Sequence, residues 1–125
     1  MSFARVLLTL SAVLAAVGGV MHGVAFSKAR AAYDASNVAA FFGASAKGLW
    51  IADSATLLLL AVIFGLAAAK PSTATRQSLI LAACIPIGTA VMLYANLGAF
   101  FAGHLLMVIA ALAIAGAVGF PAQAS

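Results

Sequence analysis

Four long apolar runs, separated by short polar stretches, fill almost the whole chain: Val6–Phe26, Leu49–Ala69, Ser78–Gly98 and Ala99–Phe120. Each is close to the ~20 residues an α-helix needs to cross the ~30 Å hydrocarbon core of a bilayer. The pattern predicts an all-α integral membrane protein: a single domain over residues 1–125 whose four transmembrane helices form an up-down-up-down bundle. The run Val6–Phe26 is longer than the ~7–15 apolar residues of a signal-peptide core, so it is read as the first membrane helix.

The breaks between the runs have local causes. Lys70 complements the C-terminal dipole of the second helix, and Pro71 cannot continue its hydrogen-bond ladder. Ser72–Gln77 then reads as a short polar turn. Pro86 predicts a kink within the third helix. The tight turn Asn96–Gly98 makes the third and fourth helices an antiparallel hairpin, and Pro121 stops the fourth. Ser27–Gly48 is the only long connection. Asp34 or Ser36 can cap a helix start there, and Val38, Phe41 and Phe42 recur at i, i+3, i+4. The expectation is a short interfacial helix over about residues 36–46, set off from the second span by Gly43 and Gly48. A direct extension of the second helix is the alternative.

Composition agrees with the pattern. Hydrophobic residues make up 66% of the 125 residues and charged ones 6%, against about 25% charged in a soluble domain. Lipid is therefore the expected solvent. The net charge of +4 rests on only six Lys and Arg, placed at loops and helix ends. They form no basic stripe of the kind that nucleic-acid binding needs. Arg5, Lys70 and Arg76 fall on one side of the membrane and Lys28, Arg30 and Lys47 on the other, so the positive-inside rule is tied. Asp34 tips the expectation towards both termini being cytoplasmic. Small size and abundant alanine suggest a bacterial inner membrane. The single cysteine, Cys84, excludes an internal disulfide or a CxxC pair and reads as a small core residue.

Candidate chemistry gathers at one end. In the predicted topology His22 lies late in the first helix, Asp53 early in the second, Tyr94 and Asn96 late in the third, and His104 early in the fourth. All five fall in the same leaflet, with Trp50 at the adjoining interface. Polar side chains in lipid are expensive and usually face inward. The leading expectation is a non-enzymatic membrane subunit or binding module, in which His22, Trp50, Asp53, Tyr94, Asn96 and His104 form a pocket. Its occupant would be a small lipid-soluble molecule, such as a quinone, or a partner helix from another subunit or a second copy. In the same pattern Asp53 is expected to accept a hydrogen bond from His22 or His104, or to pair with Lys47.

Two other readings stay open. The matched depth of His22 and His104 suits axial ligation of a b-type haem, with Gly18, Gly19 and Gly103 making room for the macrocycle. With Met21 and Met107 it would suit copper. Asp53 as a carrier would instead suit a proton-coupled transporter. The absence of glutamate and of a second cysteine removes the small multidrug transporters and the CxxC quinone reductases. The stretch Gly18–Lys28, GGVMHGVAFSK, resembles the end of the first helix in a family of small bacterial four-helix membrane proteins. That resemblance implies the same helix layout and no particular activity.

Overall fold

The computed structural model describes residues 2–120. Its elements are α1 (Phe3–Asp34), α2 (Ala40–Ala69), a one-turn 3-10 helix (Pro71–Thr73), α3 (Arg76–Leu97) and α4 (Phe101–Val118). All four α-helices are long and apolar enough to cross a membrane. The chain is an all-α, four-helix membrane protein.

Two boundaries differ from the sequence expectation. α1 runs to Asp34, well past Phe26, and α2 already begins at Ala40. Residues 40–46, expected in a separate interfacial helix, are instead the first two turns of α2, which passes through Gly43 and Gly48 without a break. The alanine-rich stretch around Arg30 favours continued helix. At 1.5 Å per residue, 32 residues span about 48 Å, so the last turns of α1 project beyond the hydrocarbon. There they meet the first turns of α2 through charge: Lys47 Nζ lies 2.7 Å from Asp34 Oδ1, and Arg30 Nε lies 3.6 Å from Asp34 Oδ2. The hydrogen bond from Lys47 holds the Asp34 carboxyl below the ordinary carboxylate range. Lys47 is thus engaged by Asp34 rather than by Asp53. Exposed pairs of this kind add little to stability, but they fix how the two helix ends meet.

α1 is the centre of the bundle. It packs along α2 on one side and α4 on the other, α3 packs against α4, and α2 and α3 barely touch. The buried positions of α1 are Ala4, Leu8, Ser11, Ala12, Ala15, Gly18 and Gly19, a stripe with steps of three and four made almost wholly of small residues. α4 answers with Gly103, Leu106, Ile109, Ala110, Ala113, Gly116 and Ala117. Small residues let helix backbones approach closely, which is the main source of attraction between helices in lipid. A Cβ built on Gly116 would lie 2.8 Å from Leu8 Cγ and 3.2 Å from the Ala4 carbonyl oxygen. Into the same interface Ser11, fully buried, donates a hydrogen bond to the Ile109 carbonyl at 2.9 Å. The larger core side chains Leu8, Leu60, Phe64, Leu79 and Ile109 come from all four helices.

At the end where α1 begins, two arginines bond to helix C-termini. Arg5 donates to the carbonyls of Ala68 and Ala69 at the end of α2. Arg76 donates to those of Val118 and Phe120 at the end of α4. Both place a cation on the negative end of a helix dipole and satisfy carbonyls that have no partner within the helix. Thr75 and Ser78 form a reciprocal capping box at the start of α3. Gly98 has φ +70°, so the turn into α4 needs a residue without a Cβ. Pro86 is buried within an α3 that continues on both sides of it. Cys84 is exposed, on the outer face of α3 and not in the core, because the buried positions of that helix are Leu79, Ala83, Pro86 and Ala90. Pro121, expected to stop α4, lies outside the described residues.

Two glycine substitutions separate packing from helix propensity. Gly116→Ala should destabilise by about 1–3 kcal/mol through overpacking against Leu8. Gly88→Ala, where an added Cβ meets nothing within 4 Å, should be neutral or stabilising by up to ~1 kcal/mol. Unfolding in mixed micelles checks both, and equal effects would contradict the packing of α1 on α4.

Candidate functional site

The polar residues picked out by depth do lie at one end of the bundle, but they form two separate groups. Each belongs to one antiparallel pair of helices.

The first group lies between α1 and α2. Its position follows from glycine. A Cβ on Gly19 would come within 3.1 Å of the Ser54 carbonyl oxygen and 3.0 Å of Leu58 Cγ, and one on Gly23 would lie 3.9 Å from Ser54 Oγ. With hydrogen at both positions, α1 lies directly on the Ser54 turn of α2, and His22 reaches across. Its Nδ1 is 2.9 Å from Ser54 Oγ, and its Nε2 is 3.7 Å from Asp53 Oδ2. The imidazole stacks on the Trp50 indole, with centroids 4.3 Å apart and planes 12° from parallel. The Trp50 Nε1–H donates to the His22 carbonyl at 2.8 Å. Ser54 is 7% exposed, while the His22 and Asp53 side chains are 28% and 36% exposed. The serine is therefore interior, and the imidazole and carboxylate border the outside.

The proton arrangement of this group decides what it can do. The Ser54 hydroxyl has two acceptors in reach, His22 Nδ1 and the Trp50 carbonyl at 3.2 Å. When it donates to Nδ1, the neutral ring carries its proton on Nε2, facing Asp53. When it donates to Trp50, Nδ1–H donates to Ser54, and Nε2 becomes a lone pair facing a carboxylate. Two acceptors 3.7 Å apart repel, so the second arrangement calls for a donor between them: a proton on the ring, or a hydroxyl or N–H from outside.

The second group lies between α3 and α4. The Tyr94 hydroxyl is 2.7 Å from His104 Nδ1, with ring centroids 5.4 Å apart. Gly103 makes this contact possible, since a Cβ there would fall 2.6 Å from Tyr94 Cε1. Among the described residues Nδ1 of His104 is the only group bonded to the Tyr94 hydroxyl. The phenol O–H has no other acceptor among the described residues, so donation to Nδ1 is the arrangement that satisfies it, and that arrangement puts the ring proton on Nε2. His104 is exposed, and no protein group among the described residues accepts from that Nε2–H.

The remaining candidates resolve differently. Asn96 is exposed and donates to the Met92 carbonyl on its own helix at 2.8 Å, so it joins neither group. Asp53 partners His22 and not His104. Met21 is 62% exposed and Met107 40% exposed. Among the described residues no three His, Cys, Asp or Glu side chains gather to hold a metal ion. The room for a haem macrocycle expected beside Gly18, Gly19 and Gly103 is filled. Leu105 lies against Gly18, Leu58 against Gly19 and the Tyr94 ring against Gly103. The glycines serve helix contact, and the residues present do not fit a haem. Ser54 was not among the residues singled out from sequence. Its position next to Asp53 was the available signal, but a serine among apolar residues is indistinguishable from one bonded to its own helix.

No family model matches the chain, and neither a curated protein nor a solved structure is similar enough to it to count as a match.

Because the imidazoles have separate partners, their energetic couplings should be separate too. The cycles His22→Ala with Ser54→Ala and His104→Ala with Tyr94→Phe should each show a coupling above about 0.5 kcal/mol, while His22→Ala with His104→Ala should add within that margin. A strong coupling between the two histidines would overturn the division into two groups.

Proposed function

We propose that this chain is a small integral membrane binding protein, without catalytic activity of its own, whose polar end takes up a lipid-soluble ligand bearing a carbonyl acceptor. The observation that carries this reading is the exposed His104. Its Nδ1 is held by Tyr94 at 2.7 Å, and with the phenol donating, Nε2–H is the outward-facing donor of an exposed ring. A donor near the apolar layer gains from an acceptor brought by a lipid-soluble molecule, so the arrangement suits a visitor that supplies an oxygen. Tyr94 fixes the ring and its tautomer, as an outer partner does for any working histidine.

The ligand class that fits best is a quinone or a related cyclic ketone, which is soluble in the membrane and carries carbonyl oxygens. The Asp53 carboxylate, beside His22 on the neighbouring helix pair, offers an acceptor and suits the hydroxyl of the corresponding reduced form. A carbonyl or polar side chain from a partner helix would meet the same donor. We further place the end bearing Arg5, Lys70 and Arg76 on the cytoplasmic side of a bacterial inner membrane. Lys and Arg are tied between the two ends, and Asp34, which pairs with both Arg30 and Lys47, is the residue that tips the assignment.

Decylubiquinone titrated into the protein in phosphatidylcholine nanodiscs tests the first proposal. His104→Phe and Tyr94→Phe should each weaken binding about threefold to tenfold, the worth of one neutral hydrogen bond, and Asn96→Ala should leave it unchanged. Affinity that survives His104→Phe, or no binding at all by the unaltered protein, would sink the proposal. For orientation, a fluorescent protein that folds only in the cytoplasm, fused to the C-terminus, should be bright; a dark fusion at normal expression would reverse the assignment.

A further inference from the structure

The opposite end of the bundle carries an arrangement that the binding proposal does not use. α2 and α3 are joined by the short turn through Pro71–Thr73, yet they barely touch along their lengths. Between them lies an open cleft of about 310 Å³, walled by Ile63, Leu66, Ala74 and Ala82, with Thr73 and Ser78 at its rim. Its walls are apolar, and its mouth sits at the end of the helices, where the headgroup layer would be.

The charge around that mouth has one sign. Arg5, Lys70 and Arg76 all belong to this end, and the chain's two acidic residues, Asp34 and Asp53, are both at the other. Arg5 and Arg76 are bonded to the carbonyls that close α2 and α4. Lys70 is different: it follows the last turn of α2, its backbone N–H bonded to the Leu66 carbonyl at 2.7 Å. Among the described residues its ammonium group has no acceptor. Leu66, one turn earlier, is a wall of the cleft. Thr73, at the rim, also bonds to the Lys70 carbonyl, so Lys70 stands beside the mouth of the slot.

From this juxtaposition we infer that the cleft holds one acyl chain of an anionic phospholipid, with its phosphate at Lys70. The lipid matches both parts of the site at once: a hydrocarbon chain for largely apolar walls, and a negative phosphate at a mouth without acidic side chains among the described residues. A lysine stem lying along apolar surface with its head at the interface is the usual posture for this residue, and an anionic leaflet supplies about 1 kcal/mol per Lys or Arg near its surface. A partner helix would fill the slot without bringing the phosphate. Bound there, the chain would also stand in for the missing contact between α2 and α3, so lipid binding should raise stability.

The thermal unfolding midpoint in dodecyl maltoside micelles tests this, with phosphatidylglycerol, phosphatidylcholine of the same chains, and inorganic phosphate as separate additives. Phosphatidylglycerol should raise the midpoint in a saturable way; phosphatidylcholine and phosphate should not. Lys70→Gln should weaken the apparent phosphatidylglycerol affinity about fivefold, the worth of one such cation. Ala82→Phe, which fills the cleft, should abolish the shift while leaving the midpoint without lipid near that of the unaltered protein. An equal response to phosphatidylcholine or to phosphate alone would overturn the inference, as would a full response in Lys70→Gln or in a folded Ala82→Phe. Lys70 is exposed, so its variant decides the matter alone if Ala82→Phe fails to fold.

Discussion

Helices that meet in hydrocarbon release no water, so whatever holds them together must come from close contact and from the few hydrogen bonds the contact permits. In this chain that contact runs along α1. Its buried stripe contains no side chain larger than Leu8, and Gly116 and Ala113 of α4 and the Ser54 turn of α2 come up against it. Remove the space beside Gly19 or Gly116 and one of the two long interfaces has to separate. α3 is then held mainly through α4, and the cleft along α2 follows from that: a hub helix with two neighbours leaves α3 with one good partner.

The same closeness positions the chemistry. His22 reaches Ser54 because Gly19 and Gly23 bring α1 onto that turn, and Tyr94 reaches His104 because Gly103 yields its place to the phenol ring. Both imidazoles are oriented through Nδ1 by a hydroxyl from the adjacent helix. They differ in what stands beyond the ring: the outer nitrogen of His22 faces the Asp53 carboxylate, whereas that of His104 meets no protein group among the described residues. The proposed binding of a lipid-soluble carbonyl compound at this end rests on that difference.

Much of the architecture was legible in the sequence because lipid imposes simple rules: four runs of spanning length, turns marked by Lys70–Pro71 and Gly98, and polar side chains at a common depth. Less was legible where the decision lay in helix rotation. Depth alone put His22 and His104 together, but rotation assigns them to different helix pairs, turns Asn96 back to its own backbone, and sets Cys84 on the outer face. The length of α1 was hidden for a different reason. Residues beyond Phe26 are polar enough to look like a loop, yet alanine and the ion pairs around Asp34 continue the helix into the interface. The glycines were visible as signs of close contact, but what they contact was not. For this reason the space beside Gly103 read as room for a cofactor when it is filled by Tyr94.

The central claim is that the chain spans a bilayer with its polar groups gathered near one face. Trp50 is the only tryptophan, and it belongs to that end through its stack on His22. The most direct measurement is the quenching of its fluorescence, in reconstituted vesicles, by phosphatidylcholines brominated at increasing depth along the acyl chain. The account predicts the strongest quenching from bromines near the headgroup, with a steady fall towards the chain ends. Strongest quenching from the bilayer centre, or none from any depth, would contradict it.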